Sequence, residues 1–197
     1  LLRPGTKGEN VLELSRRILA AGGGSLDALH GFTRERFQKI RGVGRVKSIQ
    51  LLCLVELSRR LAKETAGRGL NFSSPASVAR YYMEDMRHLG QEHMKLLMLN
   101  TKSALLGEKD VYKGTVNASL VNPREIFVEA LRTEAVSIIL LHNHPSGDPA
   151  PSRADVATTE RIRQAGELIG IELLDHIIIG NNCYISFREE GLLYTKG

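Results

Sequence analysis

The residues best suited to chemistry lie in one short stretch, HNHPSGDPAPSRAD, at positions 142–155. His142 and His144 are two positions apart, and Asp155 follows eleven residues after the second histidine. Two imidazoles and one carboxylate are ligands that zinc accepts, and three protein ligands leave the fourth tetrahedral position open for water. The pattern therefore predicts a catalytic site with one zinc ion per chain rather than a closed structural site.

The segments around this stretch can bring the three side chains together. Residues 136–141 are apolar and rich in β-branched side chains, which predicts a buried strand that ends at the first histidine. Alternate residues of a strand point the same way, so the two histidines can face one point. Prolines and a glycine in 145–151 then force a loop, and Ser152 begins a helix with Asp155 in its first turn.

Each part of this pattern also has an ordinary interpretation. Isolated histidines are usually core or surface residues. Ser152 and Asp155 match a variant of the capping box, which begins many helices without any chemistry. The cap and the metal site are compatible, because a cap would fix the position of the carboxylate. The cap does not account for two histidines at the adjoining strand end, so the metal site is favoured.

Charge is distributed unevenly along the 197 residues. Residues 1–67 contain 13 Lys and Arg against 6 Asp and Glu, a net charge of +7, whereas residues 68–197 contain 14 against 16, a net charge of −2. A basic first part is a candidate for binding polyanions, although a solvated basic helical surface has the same composition. The polar stretch KETAGRGLNFSS, which ends at residue 74, lacks an apolar period. We expect a helical domain at 1–67, a linker at 68–74 and a second domain at 75–197.

Several global features bear on the cellular compartment. No apolar run approaches the length of a membrane-spanning helix, and no signal peptide is visible, so we expect a cytoplasmic protein without membrane contact. Cys53 and Cys183 lie far apart in apolar runs, which predicts buried free thiols in a reducing compartment. The opening residues LLRPGT indicate a fragment whose start lies elsewhere.

The first domain is predicted to be entirely helical. Apolar spacing and glycines predict a helix that ends at 22–24, a short helix through Leu29, a third helix over 34–40 and a long helix over 45–63. The apolar residues of the long helix fit one broad face: Val46, Ile49, Leu52, Cys53, Val55, Leu57 and Leu61.

The turn Gly42-Val43-Gly44 resembles the helix-hairpin-helix module, which binds DNA without reading its sequence. Glycines let the backbone approach a phosphate closely, and the following helix presents free N–H groups and the positive end of its dipole. Arg41, Arg45 and Lys47 flank the turn and would add phosphate contacts. The resemblance implies DNA binding through residues 40–48. Glycine turns also occur as plain packing, and such hairpins also serve as protein–protein elements.

The second domain is predicted to mix helices and strands around one sheet. We expect helices at 75–87, 123–133 and 153–169, and strands at 94–99, 104–107, 110–116, 136–141, 172–179 and 183–187, with the last two forming a hairpin. This order indicates an α/β or α+β domain.

The second domain also resembles a known family. The ligand spacing matches the JAMM motif of MPN domains, and together with Gln91-Glu92-His93 and the sequence LDHIIIG at 174–180 it resembles the RadC family. Members pair a small all-α helix-hairpin-helix domain with a C-terminal MPN/JAMM domain, an α/β (α+β) fold with a cytidine-deaminase-like sheet and flanking helices. The resemblance implies a zinc metalloprotease that acts on a peptide or isopeptide bond, and the family is named for DNA repair.

Further roles come partly from the same resemblance and partly from the chemistry of the site. The resemblance makes Glu92 the JAMM glutamate, which serves as general acid and base. Ser152 is a candidate donor to a developing oxyanion, in competition with its capping role. His176 is expected to be a buried structural histidine or a partner behind the ligands, because a fourth ligand would close the site.

Two other functions remain open at this stage. One is a non-catalytic metal-binding scaffold or DNA-associated interaction protein, which the intact ligand set and Glu92 argue against. The other is a metal-dependent nuclease or phosphoesterase. Such sites often bridge two metals with several carboxylates. The stretch 142–155 contains only Asp148 and Asp155, which disfavours this function.

Overall fold

The computed structural model describes residues 10–114 and 121–194. The chain divides into two compact units, the first ending at Thr65 and the second beginning at Ala66. The helices of the first unit are α1 (Val11–Ala21), a 3-10 turn (Asp27–Gly31), α2 (Arg34–Gln38) and α3 (Arg45–Gly67), and α3 runs on into the second unit.

Side-chain caps begin the first helices of this unit. Asn10 accepts a hydrogen bond from the N–H of Leu12 at the start of α1, and Thr33 accepts one from the N–H of Arg36 at the start of α2. The core of the unit contains Leu14, Ile18, Leu29, Phe32, Phe37, Val43 and Leu51. The order of helices follows the sequence pattern.

The expected linker is not a free segment. Helix α3 continues to Gly67, and Phe72 is 8 % exposed within a core cluster of the second unit. The guanidinium of Arg188 donates to the backbone carbonyl of Ser73 at 2.7 Å. Residues 68–74 therefore pack as part of the second unit.

The apolar face predicted for α3 is only partly buried. Leu51 is buried and Leu52 and Val55 pack beside it, because the buried side of the helix is centred on these positions. Four of the predicted residues are exposed instead: Val46, Ile49, Leu57 and Leu61. The prediction of buried thiols is wrong, because Cys53 and Cys183 are both free and exposed.

The second unit is built on a five-stranded sheet in the order β2-β1-β3-β4-β5. The strands are β1 (Glu92–Leu99), β2 (Leu105–Gly114), β3 (Ser137–Asn143), β4 (Glu172–Ile179) and β5 (Tyr184–Ser186). Strands β3 and β4 are parallel, and the other neighbouring pairs are antiparallel. The mixed sheet with flanking helices confirms the predicted fold class, and the predicted terminal hairpin is present.

Strand β2 corrects the prediction of two short strands. Leu105–Gly114 is one strand, and the charged residues Glu108 and Lys109 continue it where a break was expected. It lies at the edge of the sheet, where charged side chains are tolerated and discourage further pairing. Residues 115 and 116 of the predicted second strand lie outside the described residues.

Helices cover both faces of the sheet. Helix α4 (Pro75–Met86) packs on one face, and α5 (Pro123–Arg132) and α6 (Arg153–Ile169) pack on the other. Helix α6 connects the parallel strands β3 and β4, so its first turn lies near the carboxyl end of β3. None of the helices in the described ranges is long and apolar enough to cross a bilayer.

Candidate metal centre

Three candidate ligands converge where β3 ends and α6 begins. His142 is near the end of β3, and His144 follows the strand with its backbone N–H still donating to the carbonyl of Ile179 at 2.9 Å. The loop 145–151 then reverses the chain, with Gly147 at a φ of 85°, a conformation that favours glycine. This turn delivers the first residues of α6 to the histidines.

A capping box fixes the third candidate ligand, Asp155. The N–H of Ser152 donates to Oδ2 of Asp155 at 2.7 Å, and the N–H of Asp155 donates to Oγ of Ser152 at 3.2 Å. Asp155 is 1 % exposed, so its carboxylate is held inside the protein by the start of its own helix.

The distances between the candidate ligand atoms fit a tetrahedral metal. Nε2 of His142 lies 3.4 Å from Oδ1 of Asp155, and Nε2 of His144 lies 3.4 Å from Oδ2. One ligand atom from each of the three residues can be chosen so that all lie within 4.8 Å of one another. Zinc bonds of the usual length separate neighbouring tetrahedral ligands by about 3.4 Å. The donor set and its spacing therefore suit zinc.

The hydrogen bonds made by Nδ1 of each histidine leave Nε2 free of a proton and able to bind a metal. Nε2 of His142 is buried and has no hydrogen-bond partner among the described residues. Nδ1 of His144 lies 2.8 Å from the carbonyl oxygen of Asp148, which can only accept, so Nδ1 carries the proton. A buried nitrogen without a partner is costly, and a bound metal would remove that cost.

The protonation states of His142 and Asp155 suit metal binding. Burial lowers the pKa of His142 to about 4. Burial raises the pKa of the Asp155 carboxyl, but its hydrogen bonds with His144 and Ser152 and the charge of His142 outweigh this and lower the pKa below its ordinary value. The hydrogen bond to Asp155 raises the pKa of His144, with a further contribution from the negative charge of Glu92. A neutral imidazole and an ionised carboxylate are the forms that bind metals.

Glu92 lies at the same end of the sheet. Strand β1 runs antiparallel to β3 with Met94 opposite His142. Glu92 lies two residues before Met94 and on the same face of β1. Because the strands are antiparallel, it is level with His144, which lies two residues after His142. The half-buried Glu92 thus adjoins the ligands without belonging to the three-ligand cluster.

Asn143 holds the backbone around Glu92, a role that sequence reasoning missed. The buried Asn143 accepts a hydrogen bond from the N–H of His93 at 2.8 Å and donates to the carbonyl of Gln91 at 3.1 Å. These two backbone groups stand on either side of Glu92. The available signal was an amide at the end of the strand predicted from residues 136–141, where a buried polar side chain needs partners.

Ser152 can serve as a cap and still offer a donor. Its oxygen accepts the N–H of Asp155, which leaves the hydroxyl proton uncommitted to the cap. The residue is exposed, unlike Asp155. The competition between capping and donation expected from the sequence is therefore not a conflict in hydrogen-bonding capacity.

The glycine turn of the first unit lies between α2 and α3. Gly42 has a φ of 88°, and Gly44 accepts the N–H of Ser48 at the start of α3. Arg41 and Arg45 are exposed on either side of the turn. Lys47 is half-buried, and its amine donates to the carbonyl of Gly42 at 3.0 Å, so it closes the turn.

Comparisons with known proteins cover nearly the whole chain. Residues 72–192 match the family model for the RadC-like JAB domain, and residues 1–49 match that for the UPF0758 N-terminal region. A UPF0758 protein of Clostridium botulinum strain Hall is 47% identical over 193 residues, which are 98% of this chain and 84% of the relative. A UPF0758 protein of Clostridium tetani is 48% identical with the same coverage. With a fold, a domain match and relatives that all agree, the chain belongs to the RadC family of UPF0758 proteins.

Proposed function

We propose that this chain is a zinc-dependent hydrolase of the JAMM type that cleaves a peptide or isopeptide bond. The observation that supports it is the convergence of two imidazole nitrogens and one carboxylate at distances that suit a metal ion, with Glu92 on the neighbouring strand. His142 and His144 would hold the zinc through Nε2, and Asp155 would hold it through its carboxylate. Three protein ligands leave a coordination position for the reaction.

The protein side chains perform the remaining steps. Zinc in such a site supplies a Lewis acid for a water nucleophile and for a carbonyl oxygen. Glu92 accepts the proton of the attacking water and returns it to the leaving nitrogen. The hydroxyl of Ser152 donates to the oxyanion that develops on the scissile carbonyl. The capping box keeps Asp155 and Ser152 in a fixed relation during these steps.

Zinc titration tests the metal site directly. Protein stripped with a chelator should bind one zinc per chain, measured by competition with a chromogenic zinc chelator. The His144→Ala variant should bind zinc more than about 100-fold more weakly. Losing a residue that only hydrogen-bonds to a zinc ligand already lowers zinc affinity about 10- to 100-fold. His93→Ala is the matched control, because this histidine adjoins Glu92 but lies on the opposite face of β1. A wild-type protein that binds no zinc would contradict the proposal and favour the scaffold function.

A second candidate function is DNA binding by the first unit. The exposed Arg41 and Arg45 flank a tight glycine turn at the start of α3, in the part of the chain with a net charge of +7. Free N–H groups and the helix dipole at this point favour a phosphate. Lys47 supports the turn through Gly42, and its contribution to binding is indirect.

The DNA proposal predicts binding that depends on salt and not on sequence. Fluorescence anisotropy with unrelated duplexes should give similar affinities, and the slope of log K against log salt should shrink by about 0.9 for each phosphate contact removed. Arg41→Gln and Arg45→Gln should each reduce the slope. Arg60→Gln, on the same helix but paired with Glu56, is the control. An equal loss in Arg60→Gln would indicate diffuse basic charge, and no binding at low salt would exclude DNA as a partner.

A further inference from the structure

A buried chain of hydrogen bonds runs behind the metal centre. Nδ1 of His142 lies 2.8 Å from Nε2 of His176, and Nδ1 of His176 lies 2.6 Å from Oγ1 of Thr159. The hydroxyl of Thr159 in turn donates to the backbone carbonyl of Asp155 at 2.7 Å. All four residues are at most 2 % exposed.

The backbone carbonyl of Asp155 at one end of this chain determines which atom donates in each hydrogen bond. The carbonyl of Asp155 can only accept, so it takes the hydroxyl proton of Thr159. That oxygen must then accept from Nδ1–H of His176, which leaves Nε2 of His176 as an acceptor. Nε2 of His176 therefore accepts from Nδ1–H of His142. The remaining nitrogen of His142, its Nε2, is left without a proton and faces the Asp155 carboxylate.

We infer that Thr159 and His176 are positioning residues that hold His142 in the one tautomer able to bind zinc through Nε2. The inference rests on the proposed function, because it takes His142 as a ligand. His144 obtains the same tautomer from a direct bond to a backbone carbonyl. His142 lies inside the sheet and reaches a carbonyl only through two intervening side chains.

The backbone and a neighbouring ring place His176 for this role. Strand β4 has a register shift opposite Ile138 and Ile139, and the extra residue brings His176 to the same face as His142. An uninterrupted strand would have turned His176 toward the other face. Phe187 stacks on the His176 ring at a centroid distance of 4.8 Å and an interplanar angle of 22°, which fixes the ring plane.

Two adjacent threonines of α6 provide a matched test. Thr158 and Thr159 are both buried, but the hydroxyl of Thr158 has no hydrogen-bond partner among the described residues. Thr159→Val keeps the side-chain shape and removes the acceptor for His176. Zinc affinity should fall about 10- to 100-fold in Thr159→Val, as for other partners of zinc ligands. It should stay unchanged in Thr158→Val and recover in Thr159→Ser.

The tautomer itself can be read without metal. Nitrogen-15 NMR of the metal-free protein should show His142 protonated at Nδ1 in the wild type and in Thr158→Val. In Thr159→Val, His176 is free to carry its proton on Nε2, and the His142 signals should shift toward the tautomer protonated at Nε2. His176→Phe is a second variant, which removes the acceptor for His142 and should also weaken zinc binding.

The two measurements separate the inference from the proposed function. Unchanged zinc affinity together with an unchanged His142 tautomer in Thr159→Val would overturn the positioning role, even if the wild type binds zinc. A wild type that binds no zinc would overturn the proposed function, and the NMR comparison would still decide whether the chain sets the tautomer. If Thr159→Val does not fold, wild-type zinc affinity in His176→Phe overturns the inference.

Discussion

Replacing Glu92 by glutamine should leave zinc binding unchanged and lower turnover by about 100- to 10,000-fold, the usual contribution of a general acid–base. The amide has nearly the same shape as the carboxylate but cannot accept the proton of the attacking water. Glu92 is outside the three-ligand cluster, so its neutralisation removes no metal ligand. The expected signature is a loss in kcat with a full complement of zinc.

Glu172→Gln is the matched control for this experiment. Glu172 is also the first residue of a strand, but β4 runs parallel to β3, so Glu172 lies at the end of the sheet away from His142. The Glu172→Gln variant should keep wild-type turnover and wild-type zinc binding. The measurements are zinc titration and hydrolysis of a peptide mixture followed by mass spectrometry, with activity lost to a chelator and restored by zinc. Full activity in Glu92→Gln would show that another group is the base.

The convergence of the three candidate metal ligands could be predicted because the position of each depends on local signals. A continuous apolar run predicts β3, and two histidines at its end share a direction by strand periodicity. The Ser-x-x-Asp pattern predicts the first turn of α6, and the capping box is present there. The loop between them is short, so the two signals together are enough to place the ligands near one another.

The surroundings of the ligands depend on contacts between distant segments. Asn143 bonds to residues about 50 positions away in the chain, and Thr159 reaches His176 across the space between α6 and β4. The register shift in β4, which turns His176 toward His142, has no reliable signal in the local sequence. Glu92 is an ordinary charged residue by its local sequence, and only the resemblance to a family singled it out.

The errors in the predicted fold have a similar cause. The charged residues of β2 suggested a break, but an edge strand can hold them in solvent. The apolar residues of α3 suggested one broad helical face, but only part of that face is buried, because helical spacing alone does not determine which side meets the core. Residues 68–74 looked like a linker because they are polar, yet Phe72 anchors them to the second unit.

Substitutions at the start of α6 should separate metal binding by Asp155 from helix capping by Ser152. Asp155→Asn should abolish stabilisation by zinc while the helix stays capped, since its amide oxygen can still accept the N–H of Ser152. With zinc at 100 times its Kd, the wild type should gain about 2.7 kcal/mol in free energy of unfolding, and the variant should gain none. Denaturant unfolding with and without zinc measures this difference.

Ser152→Ala should keep zinc binding and lose the helix cap. It removes the acceptor for the N–H of Asp155 and should cost about 1 kcal/mol of stability, yet it leaves the ligands in place. Turnover should fall about 100- to 1,000-fold if the hydroxyl donates to the oxyanion. Asn122→Ala, which removes the cap of α5 in the same unit, should cost a similar stability with no change in turnover. If Ser152→Ala behaves like Asn122→Ala, Ser152 is a helix cap alone, because loss of a cap is then sufficient to explain the variant.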